Sequence, residues 1–217
     1  MSPRAARRPL RFLVTAGPTR EHLDDVRFLA SGSSGRMGFA VAEAARRAGH
    51  RVLLVAGPVD LPDPRGVETV RVVSAREMRS AVLRAFRGSD ALVMTAAVSD
   101  YRPARRRAGK WKKGARRLSL PLVRNPDILE EAGRRKGGRI CVGFAVEVRD
   151  PLRAARGKIA RKRLDALCLC GPEALGAAAA DYRILFPDRG MERLPGIRKG
   201  DLARRIVALV EGLAAAR

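Results

Sequence analysis

Histidine is almost missing from this chain of 217 residues. Only His22 and His50 occur, which leaves histidine-based nucleophilic triads and histidine-ligated metal ions without their usual material. Cysteine is scarce as well: Cys141, Cys168 and Cys170 lie in apolar, strand-like runs and read as reduced thiols acting as small hydrophobes. Cys168 and Cys170 would point to the same side of a strand, but two sulfurs with no second pair make a poor zinc site. No apolar run approaches the roughly 20 residues of a membrane span. The start, MSPRAARRPLRF, has basic residues without the apolar centre of a signal peptide. The expectation is a cytoplasmic chain with no membrane partner. Two phosphate-binding signatures are also missing. There is no GxxxxGK followed by Ser or Thr, and no GxGxxG after the first strand. The second strand ends in Ala56, Gly57 and Pro58, without an acidic residue to hold a ribose.

What is present is an alternation of strand and helix signals. It predicts one α/β domain over residues 1–217, a doubly wound, Rossmann-like, mostly parallel sheet with helices on both faces. Leu10 to Val14 reads as a short strand. Met37, Ala40, Val41, Ala44, Ala45 and Ala48 then recur at helical spacing, with Gly49 as the stop. Between them runs VTAGPTREHLDDVRFLASGSSGRMG, Val14 to Gly38. A connection this long and rich in glycine and serine reads as a phosphate-handling loop. Arg51 to Ala56, Val70 to Val73, Ala91 to Thr95, Arg139 to Ala145, Leu164 to Cys170 and Tyr182 to Phe186 read as further strands. Ser74 and Glu77 form a capping box ahead of a helix whose Met78, Val82 and Phe86 share a face. Asn125 reads as an N-cap with Pro126 in the first turn and Asp127 where the helix dipole favours an anion. Asp201 opens a last helix with Leu202, Ile206, Leu209, Val210 and Leu213 as its inner stripe.

The formal charge of +23 raises a nucleic-acid reading. Its densest block, RPARRRAGKWKKGARR from Arg102 to Arg117, is too charged and glycine-rich for a core element and reads as a mobile basic loop or hairpin arm. No RRM aromatic signature, KH loop or paired zinc ligands accompany it. Arginine is used heavily throughout, so a compositional drift accounts for most of the scattered charge. Ligands of open α/β sheets gather beyond the carboxyl ends of strands, which puts Asp100 where chemistry is expected. Lys158 and Lys162, four residues apart on one helix face, could reach a common anion. A glycine-serine loop, one sheet-end aspartate and several lysines together suit a triphosphate with a divalent cation.

The ordered set TAGPTRE (Thr15 to Glu21), DDVRFLASGSSGRMG (Asp24 to Gly38), AAVSDYRP (Ala96 to Pro103), KWKK (Lys110 to Lys113), NPDIL (Asn125 to Leu129), VGFAVE (Val142 to Glu147) and KIARK (Lys158 to Lys162) resembles phosphopantothenoylcysteine synthetase. This family, also called phosphopantothenate-cysteine ligase, is the second half of many bacterial bifunctional coenzyme A biosynthesis proteins. The resemblance implies a stand-alone ligase with no flavin in this chain, leaving room for a separate phosphopantothenoylcysteine decarboxylase as a partner. Its substrates would be 4'-phosphopantothenate, cysteine and CTP, with Mg2+ or Mn2+. CTP would activate the substrate carboxylate as an acyl-cytidylate, and the cysteine amine would then displace CMP. Carried over, Met94, Thr95 and Ala96 line the nucleotide site, Asp100 contacts nucleotide and metal, and Lys110 stabilises the α-phosphate as a catalytic residue. Pro126, Asp127, Ile128, Leu129, Phe144, Lys158 and Lys162 match further CTP contacts, and Ser33, Ser34 and Gly35 match the family's SSG loop. The resemblance also implies a homodimer with shared active sites.

The chain departs from the family at Ser31, which stands where the family has a catalytic asparagine, and at Leu169, Cys170 and Gly171, where it has Ala-Asn-Asp. Its GFxxDxN segment appears here as Gly176 to Asp181, and Arg36 replaces the usual lysine. Three readings follow: an active CTP-dependent ligase, a nucleotide-binding homologue impaired in the second half-reaction, and a basic nucleic-acid-binding protein on the same scaffold.

Overall fold

The computed structural model describes residues 8–114, 117–188 and 190–217. Residues 1–7 of the basic start, and Ala115 and Arg116 of the basic block, lie outside the described residues. The chain runs through β1 (Arg11–Ala16), a ribbon of β2 (Arg20–His22) and β3 (Phe28–Ala30), α1 (Arg36–Arg47), β4 (Arg51–Ala56), β5 (Glu68–Arg71), α2 (Ala75–Phe86) and β6 (Ala91–Met94). A second ribbon, β7 (Tyr101–Pro103) with β8 (Leu122–Arg124), precedes α3 (Ile128–Arg134), β9 (Ile140–Val146), α4 (Pro151–Lys162) and β10 (Ala166–Cys170). The chain ends with β11 (Ala179–Leu185), β12 (Met191–Arg198) and α5 (Lys199–Ala215).

Eight strands form one sheet in the order β12-β11-β10-β9-β6-β1-β4-β5. Pairing is parallel from β5 to β10 and antiparallel at the β11 and β12 edge. Strands covered on both faces need apolar residues at successive positions, and β1 shows the result. Its Phe12, Val14 and Ala16 enter the core beneath α1 and α5, whereas Leu13 enters the core beneath α2, α3 and α4. The expected doubly wound sheet is present, and Cys168 and Cys170 do share a side.

Local readings shift where side chains have other work. The third strand is Glu68–Arg71 rather than residues 70–73, because the backbone N–H of Val73 already donates to Glu77 Oε2 at 2.9 Å in the cap of α2. Asn125 does not cap α3; Asp127 does, accepting from the Glu130 N–H at 3.0 Å. Pro126 holds its predecessor away from helical backbone. The Asn125 amide instead donates to the Ser99 carbonyl at 2.8 Å and accepts from Arg102 at 3.1 Å. The last helix starts at Lys199, two residues before Asp201. Among the described residues no helix is long and apolar enough to cross a membrane.

The seat of α1 on the sheet is a close contact that matters for the site. A Cβ on Gly38 would come within 2.5 Å of the Ala16 Cβ, 2.6 Å of Thr95 Oγ1 and 2.7 Å of the Thr15 carbonyl oxygen. Nothing lies within 4 Å of a Cβ placed on Gly212 in α5. Gly38→Ala is therefore expected to destabilise the fold by about 1–3 kcal/mol through overpacking. Gly212→Ala is expected to stabilise it by about 0.5–1 kcal/mol through helix propensity. Urea unfolding of the two variants beside the parent checks both signs, and coincident midpoints would contradict this packing.

Candidate functional site

In a sheet of this order the connections leaving β1 and β6 turn to opposite faces, and a crevice opens beyond their carboxyl ends. Backbone pairing continues past the strands there: Ala97 N–H donates to the Gly17 carbonyl at 2.9 Å, and Thr19 N–H donates to the Ala97 carbonyl at 3.3 Å. Thr95 Oγ1 donates to the Thr15 carbonyl at 2.7 Å, and the Ser99 N–H donates to Thr19 Oγ1 at 3.0 Å. These bonds fix the floor of a cavity of about 480 Å3. Its walls come from residues 31–38, 94–100, 124–129 and 144–146, with Lys158, Lys162, Cys170, Tyr182 and Lys199.

Ser31, Ser33, Ser34, Gly35, Met94, Thr95, Ala96 and Asp100 all line this cavity. So do Pro126, Asp127, Ile128, Leu129, Phe144, Lys158 and Lys162. Positions separated by more than a hundred residues in sequence are thereby brought together. Lys110 is the exception, since it does not line the cavity of its own chain. It sits on the arm between β7 and β8, and the arm is fastened elsewhere. Buried Asp24 accepts from the Trp111 N–H at 3.0 Å and from Arg27 Nε at 2.9 Å, and Asp25 accepts from the Gly109 N–H at 2.7 Å and from Arg106 at 2.9 Å. The Arg27 guanidinium first, then the backbone N–H groups of Trp111, Arg27 and Val26, hold the Asp24 carboxyl well below the usual carboxylate range. Arg107 stacks on Trp111 with its guanidinium carbon 3.8 Å from the ring centroid. The described part of the basic stretch is thus a hairpin arm anchored to the turn between β2 and β3.

The charges inside the cavity divide into two kinds. Lys158 is ion-paired with Glu147, and Lys162 with Asp127 at 2.8 Å. Burial opposes ionisation of Asp127, but Lys162 and the Glu130 N–H outweigh it and leave the carboxyl below its ordinary range. Arg36, Arg124 and Lys199 line the same space with no carboxylate partner among the described residues. Lys199 donates instead to the carbonyl oxygens of Ala174, at 3.2 Å, and Ala177. Burial lowers its pKa, and the nearby Arg36 charge lowers it further. At α1 the N-cap Gly35 has φ 73° and offers no capping side chain, and the first turn holds no acidic residue. Its N–H groups are therefore available to an anion.

Asp100 also has no ion-pair partner among the described residues, and no group of three His, Cys, Asp or Glu converges around it. One exposed, unpaired carboxylate on the wall of a cavity of about 480 Å3 suits Mg2+, which takes one or two carboxylates and fills its remaining positions with water and substrate phosphates. Cys170 faces the cavity with its thiol pushed up to about 11 by burial and by the charge of Glu173. Arg124, Tyr182 and Lys199 were not legible as site residues. The hairpin of β11 and β12 carries Tyr182 and the start of α5 back to the cavity, and that return has no short-range sequence signal.

A cavity of about 570 Å3 lies at the amino end of the strands, between Arg8, Arg11, Asp90, Arg139 and Arg217. Arg8 and Arg11 are committed to Asp90, Arg217 to Asp165 and Arg139 to backbone carbonyls. None of the sequence motifs reaches it.

Comparison with known proteins bears on the family of the whole chain. The Coenzyme A biosynthesis bifunctional protein CoaBC of Bacillus subtilis is 42% identical over 206 residues, covering 93% of this chain and 51% of the relative. The chain thus spans about half the length of the curated relatives it matches. The crystal structure of the C-terminal domain of CoaBC superposes with a TM-score of 0.83 at 34% identity, over 96% of this chain and 97% of that one. A Cab2 mutant in complex with phosphopantothenate-cysteine shares the fold, with a TM-score of 0.77 at 15% identity, over 95% of this chain and 88% of that one. Residues 8–213 match the model of the DNA/pantothenate metabolism flavoprotein C-terminal domain, and the chain belongs to that family.

Proposed function

We propose that this chain is a phosphopantothenate-cysteine ligase of coenzyme A biosynthesis, using CTP and a magnesium-like ion. The observation that carries the reading is the convergence of the Ser33 to Gly35 loop, Asp100, Pro126 to Leu129, Phe144, Lys158 and Lys162 around one cavity at the topological switch point. In the proposed first step the carboxylate of 4'-phosphopantothenate attacks the α-phosphorus of CTP. A new carboxylate-phosphorus bond forms, the bond to the bridging oxygen breaks, and pyrophosphate leaves with that electron pair. In the second the cysteine amine attacks the acyl carbon, CMP departs, and the amine loses a proton. The protein's share is to position the reactants and stabilise charge.

The chain's own groups suit these tasks. Lys158 and Lys162, already neutralised by Glu147 and Asp127, serve as hydrogen-bond donors to the nucleoside rather than as free charge for phosphates. Asp100 would hold the metal, which when bound supplies Lewis-acid charge neutralisation at the phosphates. Asp24 and Asp25 fasten the arm that carries Lys110 outside its own cavity. We therefore include a homodimer, in which a second copy presents this arm, in the proposal. Val26, Phe28, Tyr101, Leu122 and Val123 leave apolar area exposed on the two ribbons, as an interface there requires.

The impaired-homologue reading has one observation in its favour. Ser31 and Cys170, both positions that depart from the family pattern, face the same cavity. The nucleic-acid reading is weaker, because Trp111 is stacked by Arg107 and Arg106 is spent on Asp25.

The test is to incubate the protein with CTP, magnesium, 4'-phosphopantothenate and cysteine, following pyrophosphate, acyl-cytidylate and the cysteine amide separately by mass spectrometry. Amide formation that disappears in Lys110→Gln is the expected result. Pyrophosphate and acyl-cytidylate without amide would instead establish the half-reaction homologue. In the same assay Asp100→Asn should raise the magnesium concentration for half-maximal pyrophosphate release by about tenfold or more. Sedimentation should give a dimer that Phe28→Asp with Val123→Asp converts to monomer; a monomeric parent would exclude shared sites.

A further inference from the structure

We propose that Arg36 and Lys199 form the acceptor for the two terminal phosphates of the nucleotide, and so stabilise the pyrophosphate that leaves in the first step. The proposal rests on the CTP-dependent reading above and assigns it a leaving-group site.

The cavity's cations are not equivalent. Lys158 and Lys162 each face a carboxylate, so their charge is largely spent before any ligand arrives. Arg124 is free, but it enters from β8 beside Asn125, on the wall that carries α3. Arg36 and Lys199 come from the first residues of α1 and α5, which pack on the same face of the sheet. Two cations held near one another without a carboxylate oppose folding, and an anion placed between them removes the repulsion. Lys199 has three donors and uses two, on Ala174 and Ala177, which leaves one for a ligand. Arg36 makes no hydrogen bond or ion pair among the described residues, so its planar fork is open.

The order along the chain gives the direction. Arg36 directly follows Ser33, Ser34 and Gly35, and the uncapped first turn of α1 begins at Arg36 itself. A nucleotide whose nucleoside lies against α3 and α4 runs its phosphates from that wall towards α1. As the α-phosphorus accepts the substrate carboxylate and releases the bridging oxygen, negative charge accumulates on the departing pyrophosphate. Uncompensated positive charge at that end strengthens binding as the charge develops, which is the condition for lowering a barrier.

Calorimetric titration of the parent, Arg36→Gln, Arg36→Lys and Lys199→Gln with CTP, CMP, inorganic pyrophosphate and 4'-phosphopantothenate tests the assignment. Each neutralising variant should lose about tenfold or more in affinity for CTP and for pyrophosphate, the scale of one charge-assisted hydrogen bond. CMP binding should change by less than about twofold, and Arg36→Lys should recover most of the loss. Because Lys199 also tethers the loop of Ala174 and Ala177, a loss confined to Lys199→Gln counts as a structural effect and overturns the proposal. An unchanged ratio of CTP to CMP affinity with weakened 4'-phosphopantothenate binding overturns it too, and would assign the pair to the substrate's own phosphate. A parent protein that binds neither nucleotide overturns the ligase reading itself, which is a distinct result.

Discussion

The contact on which the site depends is the one between the first turn of α1 and the end of β1. Gly38 has no side chain, so the helix settles directly on Ala16 and on the hydrogen bond that joins Thr95 to Thr15. That contact fixes where α1 begins, and hence where the Ser33 to Gly35 loop and the unspent N–H groups of the helix are aimed. A methyl group there would tilt the helix and carry the loop with it. The crevice needs a further close approach to stay open: a Cβ on Gly57 would fall 1.8 Å from the Pro18 carbonyl oxygen, where the chain leaving β1 crosses the end of β4.

The long-range charge arrangement follows from this packing. A chain carrying +23 could spread its cations evenly, yet within the cavity they are sorted. On the α4 side each lysine has a carboxylate, and on the α1 and α5 side the cations have none. Apart from the unpaired Arg124 on β8, such an interior has an end whose cations are neutralised and an end whose cations are not, a polarity that suits an elongated ligand with an uncharged ring system and a charged tail. Outside the cavity many arginines are locked into short-range pairs with Asp and Glu, such as Arg79 with Glu131 and Arg205 with Glu192. The extreme net charge therefore says less about partners than its magnitude suggests.

Strong local signals made much of the fold legible in the sequence. The capping box at Ser74 and Glu77 and the strand at Arg51 to Ala56 appear as written, since both are encoded by residues adjacent in the chain. Asn125 misled because Pro126 follows it and a buried carbonyl, that of Ser99, claims its amide. The ribbon of β2 with β3 was not legible, because three-residue strands carry almost no periodicity, and of β7 with β8 only the basic hairpin arm between them was. The cavity residues on motifs were found through the family pattern rather than through chemistry alone. Lys199 belongs to no motif used here, and it reaches the cavity only because an antiparallel hairpin at the sheet edge turns the chain around. Conversely Lys110 is on a motif and yet lies away from its own cavity, a placement decided by Asp24 and Asp25 far upstream.

The position of Cys170 has a consequence for chemical safety. An enzyme of the proposed kind holds an acyl-phosphate anhydride, an electrophile that a neighbouring thiolate would attack, acylating the protein and ending the turnover. Burial, with the Glu173 charge behind it, pushes the Cys170 thiol up to about 11, so near neutral pH it stays in the unreactive thiol form. The incoming amino acid brings its own thiol into the same space, and the wall it meets there is chemically silent. A sulfur is tolerable at this position because the end of β10 that carries it is half-buried, which disfavours the thiolate.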